Sequence, residues 1–176
     1  MMMKKLLLLF IFLPFLSFAQ RFEISETPGY SITSNNFFNS GFSNQVGLGF
    51  HFTKHFSLTA IYENEWWGTK VSGIGIAPDL NFKRFYFGMD FKEMYTKTYN
   101  YSFYGTIKYD PAFAYGFHIG TKHRIYKHLY FTDQFGLCFI NVKETNSPNT
   151  TGLGYEYSQN ESFNYFYFRL GLSYRF

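Results

Sequence analysis

From Tyr165 to Phe176 the chain alternates without a break. Phe166, Phe168, Leu170, Leu172, Tyr174 and Phe176 fall on one face, and Tyr165, Tyr167, Arg169, Gly171, Ser173 and Arg175 on the other. A strict period of two specifies a strand with one apolar face, because successive side chains point to opposite sides of a pleated backbone. This run is about twice the usual five or six residues of a strand in a soluble protein. Its length suits a tilted strand crossing a bilayer, which needs roughly nine to eleven residues plus a rim.

The same pattern recurs upstream. Val46, Leu48, Phe50 and Phe52 alternate with glycines and His51, and Phe56, Leu58, Ala60 and Tyr62 with Ser57, Thr59 and Glu63. Ile74, Ile76, Leu80 and Phe82 alternate with Gly73, Gly75, Ala77, Asp79 and Asn81. Phe85, Phe87, Met89 and Phe91 stand against Tyr86, Gly88, Asp90 and Lys92, and Phe113, Tyr115, Phe117 and Ile119 against Ala114, Gly116, His118 and Gly120. In 129–139, Leu129, Phe131, Phe135, Leu137 and Phe139 share a face, and Asp133 is the charge that breaks it. With a weaker first strand over 22–32, the count is eight.

The connections alternate too. Three are short and basic, at 53–55, 83–84 and 122–127. Between them lie longer polar ones at about 34–42, 68–72, 97–110 and 143–162. Alternating short and long connections are those of an up-and-down membrane barrel with short turns at one interface and long loops at the other. An even strand count puts both termini on the short-turn side.

The faces decide which way the barrel is turned. The smaller face carries repeated glycine and charges of both signs, and the other face is dense in Phe. An eight-stranded barrel has an interior just wide enough for side chains to fill, so eight strands of inward Phe exceed its volume. The aromatic face therefore looks outward into lipid. Trp66, Tyr62, Tyr95, Tyr30 and Tyr155 near the long loops, and Phe52, Phe56, Phe82, Phe85, Tyr126, Tyr174 and Phe176 near the short turns, form two interfacial girdles. The alternative is a secreted lipid-binding barrel with its aromatics inside.

Met1 to Lys5 supply a basic start, residues 6–13 an apolar core, and Ser17-Phe18-Ala19 small residues at −3 and −1 before Gln20. These are the parts of a secretory signal peptide covering 1–19, with the barrel domain at 20–176. Pro14 and the shortness of the apolar run, against the ~20 residues of a spanning helix, exclude a membrane anchor. Composition narrows the class further. Phe 25, Tyr 16 and Trp 2 make 24% of the chain aromatic with 16% charged, the opposite of a disordered composition. A net charge of +4, with two of the lysines in the leader, gives no basis for nucleic-acid binding. One cysteine, Cys138, leaves no internal disulfide framework and no Cys-based zinc site.

With these features the chain resembles the small eight-stranded outer-membrane β-barrel proteins of Gram-negative bacteria, the OmpA/OmpX-like type, across residues 21–176. The resemblance implies an all-β, antiparallel, up-and-down transmembrane barrel in the bacterial outer membrane, embedded in its lipid. It also implies that the last strand is the assembly signal read by the barrel-assembly machinery, on Phe168, Leu170, Leu172, Tyr174 and Phe176. Function does not follow from such a fold, which hosts adhesins, enzymes, anchors and subunits of larger complexes.

Parity sends Glu63, Asp90, Lys92, His118 and Arg169 into the narrow lumen, with Glu65, Asp79, His51 and Arg175 beside them and Arg21 and Glu23 near one end. Buried charges must be paired or hydrated, so an interior ion-pair network is expected; a proton relay or a narrow pore would use similar residues. No Gly-x-Ser-x-Gly motif occurs, and no His-x-Ser pair lies on the outward face. No catalytic, cofactor or metal site is expected, against the alternative of a lipid-modifying enzyme. The aromatic loop segments 35–38 and 99–101 are candidates for a protein or glycan partner at the extracellular loops. The expected function is structural or interactive.

Overall fold

The computed structural model describes residues 21–34, 40–66, 70–96, 99–101, 105–147 and 157–176. The proposed signal peptide, the loop segment 35–38 and Tyr155 lie outside the described residues. Ten strands follow in chain order: β1 (Phe22–Thr33), β2 (Gly41–His51), β3 (Phe56–Trp66), β4 (Lys70–Phe82), β5 (Phe85–Thr96), β6 (Tyr99–Tyr101), β7 (Gly105–Tyr109), β8 (Ala112–Tyr126), β9 (Leu129–Ser147) and β10 (Tyr157–Arg175). Eight of them close an antiparallel barrel in the order β10-β1-β2-β3-β4-β5-β8-β9, with β9 pairing back to β10. Every barrel strand is thereby paired on both sides, as a spanning sheet requires where no water can satisfy an open edge.

The barrel is inside out relative to a soluble one. Phe85 is 61% exposed and Phe113 59% on the outer face, whereas Arg169 and Lys92, at 0% and 1%, are buried in the lumen. Above the lipid band this arrangement reverses. On upper β9 and β10, Ile140, Val142 and Phe163 point inward into an apolar cluster with Val71, Met94 and Ala112. Asn141, Lys143 and Ser162 point outward, and the Ser162 hydroxyl donates to Asn141 Oδ1 at 2.6 Å. Where the outer solvent changes from lipid to water, the apolar side chains move to the inside.

Three connections expected from sequence are shorter than read. The 143–162 connection is largely strand: β9 and β10 stay in register from Leu129↔Tyr174 up to Asn146↔Tyr157. Its polar residues hide the period of two because the water-facing side and the loop have the same chemistry. The 97–110 connection contains the β6–β7 hairpin, and β7 pairs with the extended β9 from Tyr109↔Glu144 to Thr106↔Ser147. At the short-turn end, the basic stretch 122–127 is also strand as far as Tyr126, with a register shift between Arg124 and Tyr126 and a turn only at 127–128. The ladder partners on β9 hold these cationic residues extended.

Two prolines sit inside spanning strands. Pro28 pairs with Asn44 on β2, but the β1–β10 register steps from Glu26↔Leu172 to Gly29↔Arg169 without pairs between. Pro78 pairs with Leu58 on β3, and the β4–β5 register steps likewise from Ile76↔Phe91 to Asp79↔Gly88. Proline has no N–H to give the ladder, so each interrupts one seam while keeping the other. The two interrupted seams face each other across the barrel.

Candidate functional site

Alternation along each strand aims one residue in two at the lumen, and the curvature of the closed sheet makes those residues converge. The upper half of the spanning region is a single polar junction. Lys92 of β5 donates to Glu63 Oε2 of β3 at 2.7 Å and to the Tyr165 hydroxyl of β10 at 2.8 Å. That hydroxyl donates in turn to Glu63 Oε1 at 3.0 Å. Arg169 of β10 places Nη2 at 2.9 Å from both Glu63 Oε1 and Glu65 Oε1. The second Glu65 oxygen accepts from the Ser31 hydroxyl of β1 at 2.5 Å. The Arg169 guanidinium also lies 3.9 Å from the centre of the Tyr167 ring. Side chains from four strands therefore meet in the middle of the barrel.

A second cluster continues downward. Tyr167 donates to Asp90 Oδ2 at 2.6 Å. His118 of β8 places Nε2 at 2.8 Å from Asp79 Oδ1 of β4, and Nδ1 at 3.3 Å from Asp90 Oδ1. The second contact is an ion-pair distance without hydrogen-bond alignment, and both atoms otherwise lack a hydrogen-bond partner. Glycine at the cross-strand partner positions makes room for these groups. A Cβ at Gly136 would overlap the Tyr167 ring, and one at Gly88 would overlap both Asp79 Oδ1 and His118 Nε2.

A third cluster stands near the short turns around Glu23. Its carboxylate accepts from Lys122 at 2.7 Å and from Arg175 at 3.0 Å, and faces His51 Nε2 at 3.0 Å. Between this cluster and the one above is a small polar space of about 40 Å³ bordered by Gln45, Thr59, Asp79 and Tyr86. The mouth itself encloses about 160 Å³.

The five lumen residues named from sequence parity all lie inside, but in two groups: Glu63, Lys92 and Arg169 in the junction, Asp90 and His118 below it. Glu65, Asp79 and His51 are buried with them, Arg175 is at the mouth, and Arg21 is exposed, with its guanidinium donating to the Phe52 carbonyl at 3.0 Å. Phe168, Leu170, Leu172, Tyr174 and Phe176 all face outward. Cys138 is buried on the wall, with Sγ 4.0 Å from Asp90 Oδ2. Sequence reasoning missed Lys122, assigned to a turn but reaching into the lumen, and Tyr165 as the link between Lys92 and Glu63. It also counted Asp133 as the single charge on the outer face. Glu26 is exposed there as well, next to Asn44 Nδ2 at 3.3 Å, and so is Glu93. Asp133 is held by the backbone N–H and hydroxyl of Thr121 at 3.0 and 2.6 Å.

An apolar outer band around a charged lumen is the arrangement of a barrel that crosses a membrane by strands. Among solved structures, the chain is similar to the Neisserial surface protein A (NspA), with a TM-score of 0.64 at 12% identity, covering 88% of this chain and 97% of that one. The outer-membrane protein AlkL, determined by solid-state NMR in lipid bilayers, gives 0.61 at 9% identity over 90% and 92% of the two chains. The outer-membrane protein OprG from Pseudomonas aeruginosa gives 0.61 at 8% identity over 89% and 97%. The fold is that of a small outer-membrane barrel. No family model and no curated protein sequence matches the chain. The agreement is therefore one of architecture: eight spanning strands, short turns at one end, and an exterior made for the lipid of the bacterial outer membrane.

Proposed function

We propose that the protein serves the outer membrane in a structural or interaction role, with its extracellular loops contacting a protein or glycan partner and no chemistry carried on the barrel. The observation supporting this reading is the wall-to-wall junction of Lys92, Glu63, Arg169 and Tyr165, which fills the lumen with bonded side chains. A lumen built this way favours rigidity over passage. Of the residues a lipid-active site would need, His51 is engaged with Glu23 and His118 with Asp79, both inside the barrel and away from lipid. Biogenesis through the barrel-assembly machinery, with the last strand as its signal, belongs to the same proposal.

The second reading is a narrow pore, favoured by the polar spaces of about 40 and 160 Å³ below the junction. Planar-bilayer recording of the purified protein separates the two. The structural reading expects no steady conductance, together with a partner recovered by cross-linking in intact native membranes and lost when the candidate loop segment 35–38 is replaced by a short glycine-serine linker. Steady ohmic channels from the unmodified protein overturn it in favour of the pore.

A further inference from the structure

The mouth at the short-turn end is strongly cationic. Lys54, Lys83 and Arg84 come from the first two short turns, and Lys122 and Arg175 from the ends of β8 and β10, and all five border the same 160 Å³ space. One carboxylate, Glu23, stands at its inner edge and is already engaged by Lys122, Arg175 and His51. Lys54, Lys83 and Arg84 are exposed where they border the space. A second observation points the same way. Arg175 Nε is buried and has no hydrogen-bond partner, although Nη2 of the same guanidinium is bonded. A buried donor left without an acceptor is costly, and so are five like charges around one space with a single carboxylate between them.

We propose that this mouth binds a phosphate group. A tetrahedral dianion offers acceptor oxygens in several directions at once, which matches ammonium and guanidinium donors converging from separate elements. A single carboxylate has its acceptors in one plane and half the charge. The space is several times the ~10–15 Å³ that holds one water, so a phosphate fits within it. A phosphate group reaches the mouth from two sources: a soluble phosphate or phosphate monoester, which can be a dianion, or the singly charged phosphodiester headgroup of an anionic phospholipid in the adjoining leaflet, which keeps two of the free acceptor oxygens.

The test uses the full barrel refolded in an uncharged detergent, titrated with inorganic phosphate at an ionic strength held constant with chloride. Saturable binding is expected, read as shifts of backbone amide resonances around residues 53–55 and 83–84. The Lys54→Gln/Arg84→Gln pair should weaken it by about tenfold or more, the loss expected when two charge-assisted donors go. Both side chains are exposed, and heat-dependent gel mobility verifies that the variant is folded. Lys70→Gln, at the opposite end, should leave the affinity unchanged. Repeating the titration in vesicles of zwitterionic lipid and in vesicles containing phosphatidylglycerol identifies the source. Weaker phosphate binding in the second marks the headgroup as the competing occupant, and equal binding marks a soluble phosphate. Absence of saturable binding, an undiminished affinity in the double variant, or an equal loss in Lys70→Gln overturns the proposal.

Discussion

Arg169 and Glu63 meet at 2.9 Å in the centre of the barrel, although they belong to strands three apart around its wall. Both side chains are fully buried, so neither charge has water to fall back on. Glu63 is also held by Lys92 of β5, which arrives from the other side of β3, and by Tyr165, which shares β10 with Arg169. The pair thus ties opposite walls together through a path that the backbone ladder does not provide.

Removing one member strands the others. Arg169→Ala should destabilise the barrel by about 3–5 kcal/mol, the cost of leaving a buried partner uncompensated. Denaturant unfolding in lipid vesicles measures it. A loss below about 1 kcal/mol would mean that water already screens the junction.

The wall glycines predict a steric effect of a different kind. Gly136→Ala places a methyl group against the buried Tyr167 ring, whose hydroxyl is tied to Asp90. Overpacking of this sort should cost about 1–3 kcal/mol. The additional substitution Tyr167→Phe, which frees the ring from Asp90, should recover part of that loss in the same unfolding measurement.

The terminal strand should control insertion. Replacing Phe168, Leu170 and Leu172 together with Arg puts three charges on the lipid face, at about 2–4 kcal/mol each near the midplane. The protein should then fail to reach the outer membrane, and heat-dependent gel mobility of the membrane fraction reads this directly. A normal yield of folded protein would remove the strand from its assembly role.

Glu26 predicts a gain. It faces outward between Val46 and Leu172, where it accepts a hydrogen bond from the Asn44 amide at 3.3 Å. Glu26→Leu should stabilise the barrel by about 1–2 kcal/mol, since a lipid-facing carboxylate costs less than the roughly 2–4 kcal/mol of a cation there. Unfolding in vesicles of defined lipid tests it. An unchanged or lowered stability would show that the carboxylate is compensated in the membrane.

The period of two was enough to establish all-β structure, eight spanning strands and the sorting of residues between lipid and lumen. Parity is a local property, and Lys92 or Arg169 points inward whatever the rest of the chain does. Where a strand leaves the membrane the signal fades, so the upper lengths of β9 and β10 read as loop in the sequence, although they form a continuous ladder. Position around the barrel was not legible. Whether Arg169 meets Glu63 or Asp90 depends on the stagger between strands and on closure of β10 against both β1 and β9, which no single strand encodes. The same closure put Lys122 beside Glu23, residues 99 positions apart in the chain. Local chemistry determined which face each residue takes, and only the closed sheet decided which charge it finds there.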